Sequence, residues 1–136
     1  MSTTPTSNFA EPFQLIVGNK LPGAPTLHLS LSFAERASRL PSSVSGLGVI
    51  TQAVTPPGGR IPVRDIHGQL YPLGGPVELP ENVIVLDGLC VVTDPPSQVV
   101  LEEPFRAVLL LGPEMTGHAT FIYGHRVINN VPVTRD

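Results

Sequence analysis

Proline decides much of what this chain can become. The sequence spreads 16 prolines and 13 glycines over 136 residues. Each proline removes a backbone donor and clashes with the helical turn before it. Pro-free stretches such as 26–40, 42–55 and 81–94 leave little room for long helices. Between these breaks the chain is rich in Val, Ile, Leu and Thr, which suit pleated, half-buried surfaces.

The clearest element runs from Thr26 to Phe33, TLHLSLSF, with apolar residues on odd positions and polar ones on even positions. A period of two marks a strand with one dry face. Residues 34–40 read as a loop or short helix. A second strand is expected over 44–54, bulged or closely packed near Gly46 and Gly48. Residues 55–60, TPPGGR, are turn chemistry throughout. The next strand spans Arg60 to Tyr71, and Pro62 puts its start at or near a sheet edge. Residues 72–76 form a turn, and 77–80 a short extended piece.

Residues 83–93 are apolar on both parities, the pattern of a strand covered on both sides. After a turn at 94–97, a short strand at 98–101 is closed by Glu102-Glu103-Pro104. A second doubly apolar strand covers 105–111. The last full strand is expected at 118–127, with Ala119, Phe121, Tyr123 and His125 on one face. The spacing predicts an all-β fold: an antiparallel β-sandwich or small β-barrel of about six to eight strands, mainly a meander. Residues 1–12 read as a flexible N-terminal tail, 13–128 as one domain and 129–136 as a C-terminal tail. Gly48, Gly68 and Gly88 read as points of strand curvature and not as a repeated unit.

Charge excludes several functions. Charged residues make up 14% of the chain, against roughly 25% in ordinary domains. Lys20 is the only lysine, and the basic residues form no run, which argues against nucleic-acid binding. The same scarcity argues against a polybasic membrane anchor. The N-terminus lacks the basic and apolar regions of a secretory signal, so the cytoplasm is the default compartment, with non-classical export left open.

Cys90 is the only cysteine and lies among apolar neighbours, so an inert buried thiol is expected. The histidines at 28, 67, 118 and 125 lack zinc-ligand spacing, and neither a metal nor another cofactor is expected. Asp87 interrupts an apolar strand and calls for a counterion, Arg106 or Arg126. Glu102 and Glu103 point apart and read as a solvated turn.

Two candidate clusters stand out. His67, Tyr71, Tyr123, His125 and Arg126 would form a ligand-binding pocket if they lined one barrel mouth. Gly58, Gly59 and Arg60 combine flexible amides with a guanidinium and are candidate loop contacts for an anion. No nucleophile elbow, phosphate loop or dinucleotide fingerprint is present.

Three segments carry a family resemblance. They are Gly23-Ala24-Pro25-Thr26-Leu27, the run GLGVITQAVTPP that begins at Gly46, and Ile66-His67-Gly68-Gln69-Leu70-Tyr71. Together they resemble DUF1842, a small bacterial family of domains of unknown function, over roughly residues 13–125. The resemblance implies an all-β domain with no established activity. It carries no site residues over.

Low charge and two doubly apolar strands point to a non-enzymatic interaction or binding module that self-associates or holds a small protein partner. The alternatives are a small barrel enzyme of isomerase or cyclase type using the His/Tyr/Arg pocket, and a membrane-associating component of a bacterial toxin pair.

Overall fold

The computed structural model describes residues 12–21, 23–34, 41–52, 59–73, 81–94, 99–112 and 114–136. Eight strands follow one another: β1 (Phe13–Val17), β2 (Thr26–Phe33), β3 (Ser42–Thr51), β4 (Arg60–Pro72), β5 (Asn82–Asp94), β6 (Val99–Leu111), β7 (Gly117–Tyr123) and β8 (Arg126–Arg135). Each pairs antiparallel with the next, and β8 returns to β1 to close a barrel. Of the two architectures expected, the chain takes the barrel, in meander order.

Alternation builds the interior. In β2, Leu27, Leu29, Leu31 and Phe33 all point inward and are buried. The other strands contribute in the same way, with Leu86, Phe105, Leu109 and Phe121 among the fully buried side chains. The bore is therefore lined with Leu, Ile, Val and Phe.

Glycine lets the strands coil this tightly. Gly68 faces inward on β4, where a Cβ would sit 1.8 Å from the carbonyl oxygen of Val85 on β5. A Cβ on Gly46 would sit 2.2 Å from the carbonyl oxygen of Ser30. Any side chain at either position would push the neighbouring strand away. The expected irregularity near Gly46 and Gly48 is a register shift between those two residues in the β3–β4 ladder.

Several boundaries differ from expectation, each for a physical reason. β6 is continuous through Glu102-Glu103-Pro104, which the sequence marks as a strand end. Pairing of β6 with β7 begins only at Phe105, so Pro104 loses no ladder donor there. Its carbonyl accepts from the Gly124 amide at 3.3 Å. Pro62 behaves as expected of an edge inside a closed barrel: Arg60, Ile61 and Pro62 pair with β3, and β5 joins only at Val63.

The strand expected at 118–127 is two strands joined at Gly124-His125, with Gly124 at φ 59° and Tyr123 opposite Arg126. Residues 129–135, expected as a tail, belong to β8. Val131 and Val133 are buried, and Val133 pairs with Val17 to help close the barrel. A bulge in β8 hides this strand's alternation, because the register shifts between Ala119 and Phe121. Asn130 takes φ 51° there, and its amide donates to the Thr120 hydroxyl at 3.1 Å. The expectations on 1–11, 35–40 and 74–80 lie outside the described residues.

Candidate functional site

The expected His/Tyr/Arg pocket does not assemble. His67 sits on the outer face of β4, exposed, with Nδ1 at 2.8 Å from the Asp65 carbonyl. Tyr71 is on the same outer face, close to the opposite end of the barrel from the β7–β8 turn. His125 lies in that turn, exposed, and shares no strand face with Tyr123. Gly58 lies outside the described residues. Gly59 accepts from the Gln52 amide at 3.0 Å in a hairpin connection, and Arg60 is exposed at the start of β4. The five pocket residues are thus divided between an outer wall, a turn and one barrel mouth.

Tyr123 and Arg126 do meet, with a residue that the sequence did not flag. The Tyr123 hydroxyl donates to Gln52 Oε1 at 2.9 Å, and Arg126 Nη1 donates to the same oxygen at 3.2 Å. The guanidinium also lies 5.7 Å from the centre of the Tyr123 ring. Gln52 follows β3, which is four strands from β7 around an eight-stranded ring, so these bonds span the bore. No sequence motif links positions 52 and 123; only closure of the barrel joins them.

Deeper in, Cys90 is fully buried. Burial, then the nearby Glu103 charge, pushes its thiol up to about 11. Burial also raises the Tyr123 phenol, with Arg126 opposing and Cys90 adding to the rise. Both groups therefore stay protonated near neutral pH. A thiol that holds its proton this firmly is a poor nucleophile, and the mouth reads as a plug. Among the described residues, no group of three His, Cys, Asp or Glu side chains is placed to hold a metal ion.

The outer surface carries the stronger contrast. β5 and β6 pair over 13 positions, from Asn82 opposite Leu111 to Asp94 opposite Val99. Their outward residues form cross-strand rows: Val83 with Leu110, Val85 with Val108, Asp87 with Arg106, Leu89 with Pro104 and Val91 with Glu102. Leu110 is 45% exposed and Val108 36%. On β7, Ile122 lies beside Arg106 and opposes the exposed Val127 of β8, while Thr120 and His118 border Val108 and Leu110.

Charge interrupts the wall in two places. Arg106 Nε donates to Asp87 Oδ1 at 2.8 Å, which selects Arg106 from the two expected counterions. Arg64 of β4 pairs with Glu102. Glu102 therefore has a partner on the barrel wall and is not a solvated turn residue.

A family model, "Domain of unknown function (DUF1842)", matches residues 10–127. The chain belongs to this family. The DUF1842 match covers all of β1 to β7 and Arg126-Val127 of β8, while the residues of β8 that pair with β1 lie beyond it. No curated protein matches the chain.

Proposed function

We propose that this DUF1842 domain is a non-catalytic binding module that pairs with a second copy of itself through the outer wall of β5 and β6. The observation behind this reading is the outward set Val83, Val85, Leu89, Val108 and Leu110 on two strands paired along their whole length. Exposed single apolar residues are ordinary, whereas a cluster of exposed and half-exposed ones, here crossed by the Asp87–Arg106 pair, is a mark of a contact surface.

The dimensions fit a second copy held reversibly. The outward rows from Val83 with Leu110 to Leu89 with Pro104 extend about 20 Å along the strands, and two to three strands' width adds about 10–15 Å. Contact along that strip covers about 200–300 Å² per copy, the size of a weak, reversible pairing. Leu, Ile, Val and Phe side chains directed into the bore favour this surface reading over the isomerase or cyclase alternative, which needs an interior pocket. A membrane-spanning barrel has the opposite polarity, apolar outside and polar within. Here the interior is apolar while β2 and β3 turn serines outward, which favours a barrel facing water.

Sedimentation velocity tests the proposal. A reversible dimer is expected at high micromolar concentration, and Val108→Glu is expected to give a folded monomer. A wild-type chain that stays monomeric, or a dimer indifferent to Val108→Glu, overturns it.

A further inference from the structure

The wall also specifies how the second copy sits on it, an inference that rests on the self-pairing reading above. In a symmetric face-to-face pair, the two-fold axis must lie in the plane of contact. Two directions of that axis keep the strands of the two walls aligned, as sheets commonly pack. An axis across the strands at the level of Asp87 and Arg106 lays each copy's Asp87 over the other's Asp87, and Arg106 over Arg106. Like charges then meet in a contact that excludes water, which opposes that orientation.

An axis along the strands, between β5 and β6, has the opposite result. It lays every residue over the other copy's cross-strand partner. Val83 faces Leu110, Val85 faces Val108, Leu89 faces Pro104 and Asp87 faces Arg106. In these four rows every apolar residue meets an apolar one and each charge meets its opposite. In the fifth row Val91 faces Glu102, whose carboxylate keeps its own Arg64.

We infer that the DUF1842 dimer is built around a two-fold axis running along the seam between β5 and β6, with Asp87 of each copy facing Arg106 of the other. The strands of the two walls then run nearly aligned, as in ordinary sheet-on-sheet packing. Four charges form a ring in the middle of an apolar strip. Such a ring sets orientation more than it adds affinity.

Position 81, exposed and just beyond the last paired row of the wall, separates the two axes. Under the axis along the strands, the two copies of position 81 lie about 10–15 Å apart across packed sheets. Under the crossed axis, they lie about 40 Å apart, since 81 is six residues from the central row. The experiment is electron-spin distance measurement on Glu81→Cys carrying a nitroxide, with the buried Cys90 left in place. A short distance is expected, and a distance near about 40 Å overturns the inference.

A charge exchange gives a second readout that does not depend on the label. Asp87→Arg alone is expected to weaken dimerisation roughly tenfold or more, and adding Arg106→Asp in the same chain restores it. A dimer lost on Val108→Glu but unchanged by Asp87→Arg sinks the axis and leaves the wall reading standing. A wild-type monomer sinks both.

Discussion

β2 and β3 form one wall of this barrel, and β5 and β6 another. Their inner faces are alike: Leu27, Leu29 and Leu31 on one side, Ile84, Leu86 and Leu109 on the other, all buried. Their outer faces are not. The β2–β3 wall turns out Ser30, Ser32, Ser43 and Ser45, with Ser32 opposite Ser45. Gln14 of the neighbouring β1 donates to the Ser30 hydroxyl at 3.0 Å. The β5–β6 wall turns out Val83, Val85, Leu89, Val108 and Leu110 around the Asp87–Arg106 pair. Among the described residues, the β2–β3 wall has one large exposed apolar residue, Leu47, opposite Ser30. Folding needs only the inner faces to be apolar, because water serves the outer ones. The clustering of apolar residues on the β5–β6 wall is therefore unexplained by folding alone, and the serine-rich hydroxyl wall is the internal comparison.

The severest test asks whether the inner faces are truly equivalent. Gly46 lies beneath the hydroxyl wall and Gly68 beside the apolar one, and a Cβ on either overlaps a neighbouring carbonyl oxygen. Gly46→Ala and Gly68→Ala should each cost about 3 kcal/mol or more, since main chain must move to admit the methyl. Urea denaturation measures this. A large loss at Gly68 beside a negligible one at Gly46 would show that the two halves of the barrel are not held by the same coiling.

The outer faces should respond oppositely to one kind of change. Leu110→Glu should abolish self-association, while Ser30→Glu should leave it untouched. Both chains should keep monomer stability within about 0.5–1 kcal/mol, as exposed substitutions usually do. Sedimentation velocity with matched denaturation curves separates the effects. Loss of association in both variants would remove the distinction between the walls.

How far the sequence discloses this arrangement depends on whether the information is local. The β2 strand is legible residue by residue, because TLHLSLSF alternates without interruption. The bulge near Gly46 and the doubly apolar character of β5 and of residues 105–111 are equally local. β8 is obscured because a bulge at Asn130 breaks its alternation, and β1 because five residues carry too short a pattern. The mouth is illegible for another reason. Gln52 meets Tyr123 only after eight strands close, and nothing near either residue encodes that meeting. His67 and Tyr71 attract notice by residue type, yet their parity places them outside, and parity across the Asp65 bulge cannot be counted through.

A smaller effect lies between the walls, at the mouth. Cys90 keeps its proton in the folded barrel up to about 11, well above an ordinary thiol near 8.5. Burial, the larger cause, and Glu103 both favour the neutral form. A raised acid value stabilises the fold fully below the unfolded thiol's pKa, and that contribution fades as pH climbs to the folded value. Stability should therefore fall by about 3 kcal/mol between roughly pH 8.5 and 11. Cys90→Val should remove that part of the slope. An unchanged slope in Cys90→Val would place the alkaline loss elsewhere.

The smallest expected effects return to the two walls. Ser30 receives a hydrogen bond on the hydroxyl wall, and Asp87 receives one from Arg106 on the apolar wall. Both contacts are solvent-exposed, and exposed ion pairs contribute only about 0.2–1 kcal/mol. Ser30→Ala and Asp87→Ala should thus shift the unfolding free energy of the dilute monomer by less than about 1 kcal/mol each. If Asp87 serves orientation between copies, its removal should matter only where copies meet. The Asp87→Ala deficit should then grow with protein concentration in thermal unfolding, while the Ser30→Ala deficit stays constant. A deficit for Asp87→Ala that is already full in the dilute monomer would return the ion pair to the single barrel and leave the apolar wall without its orienting charge.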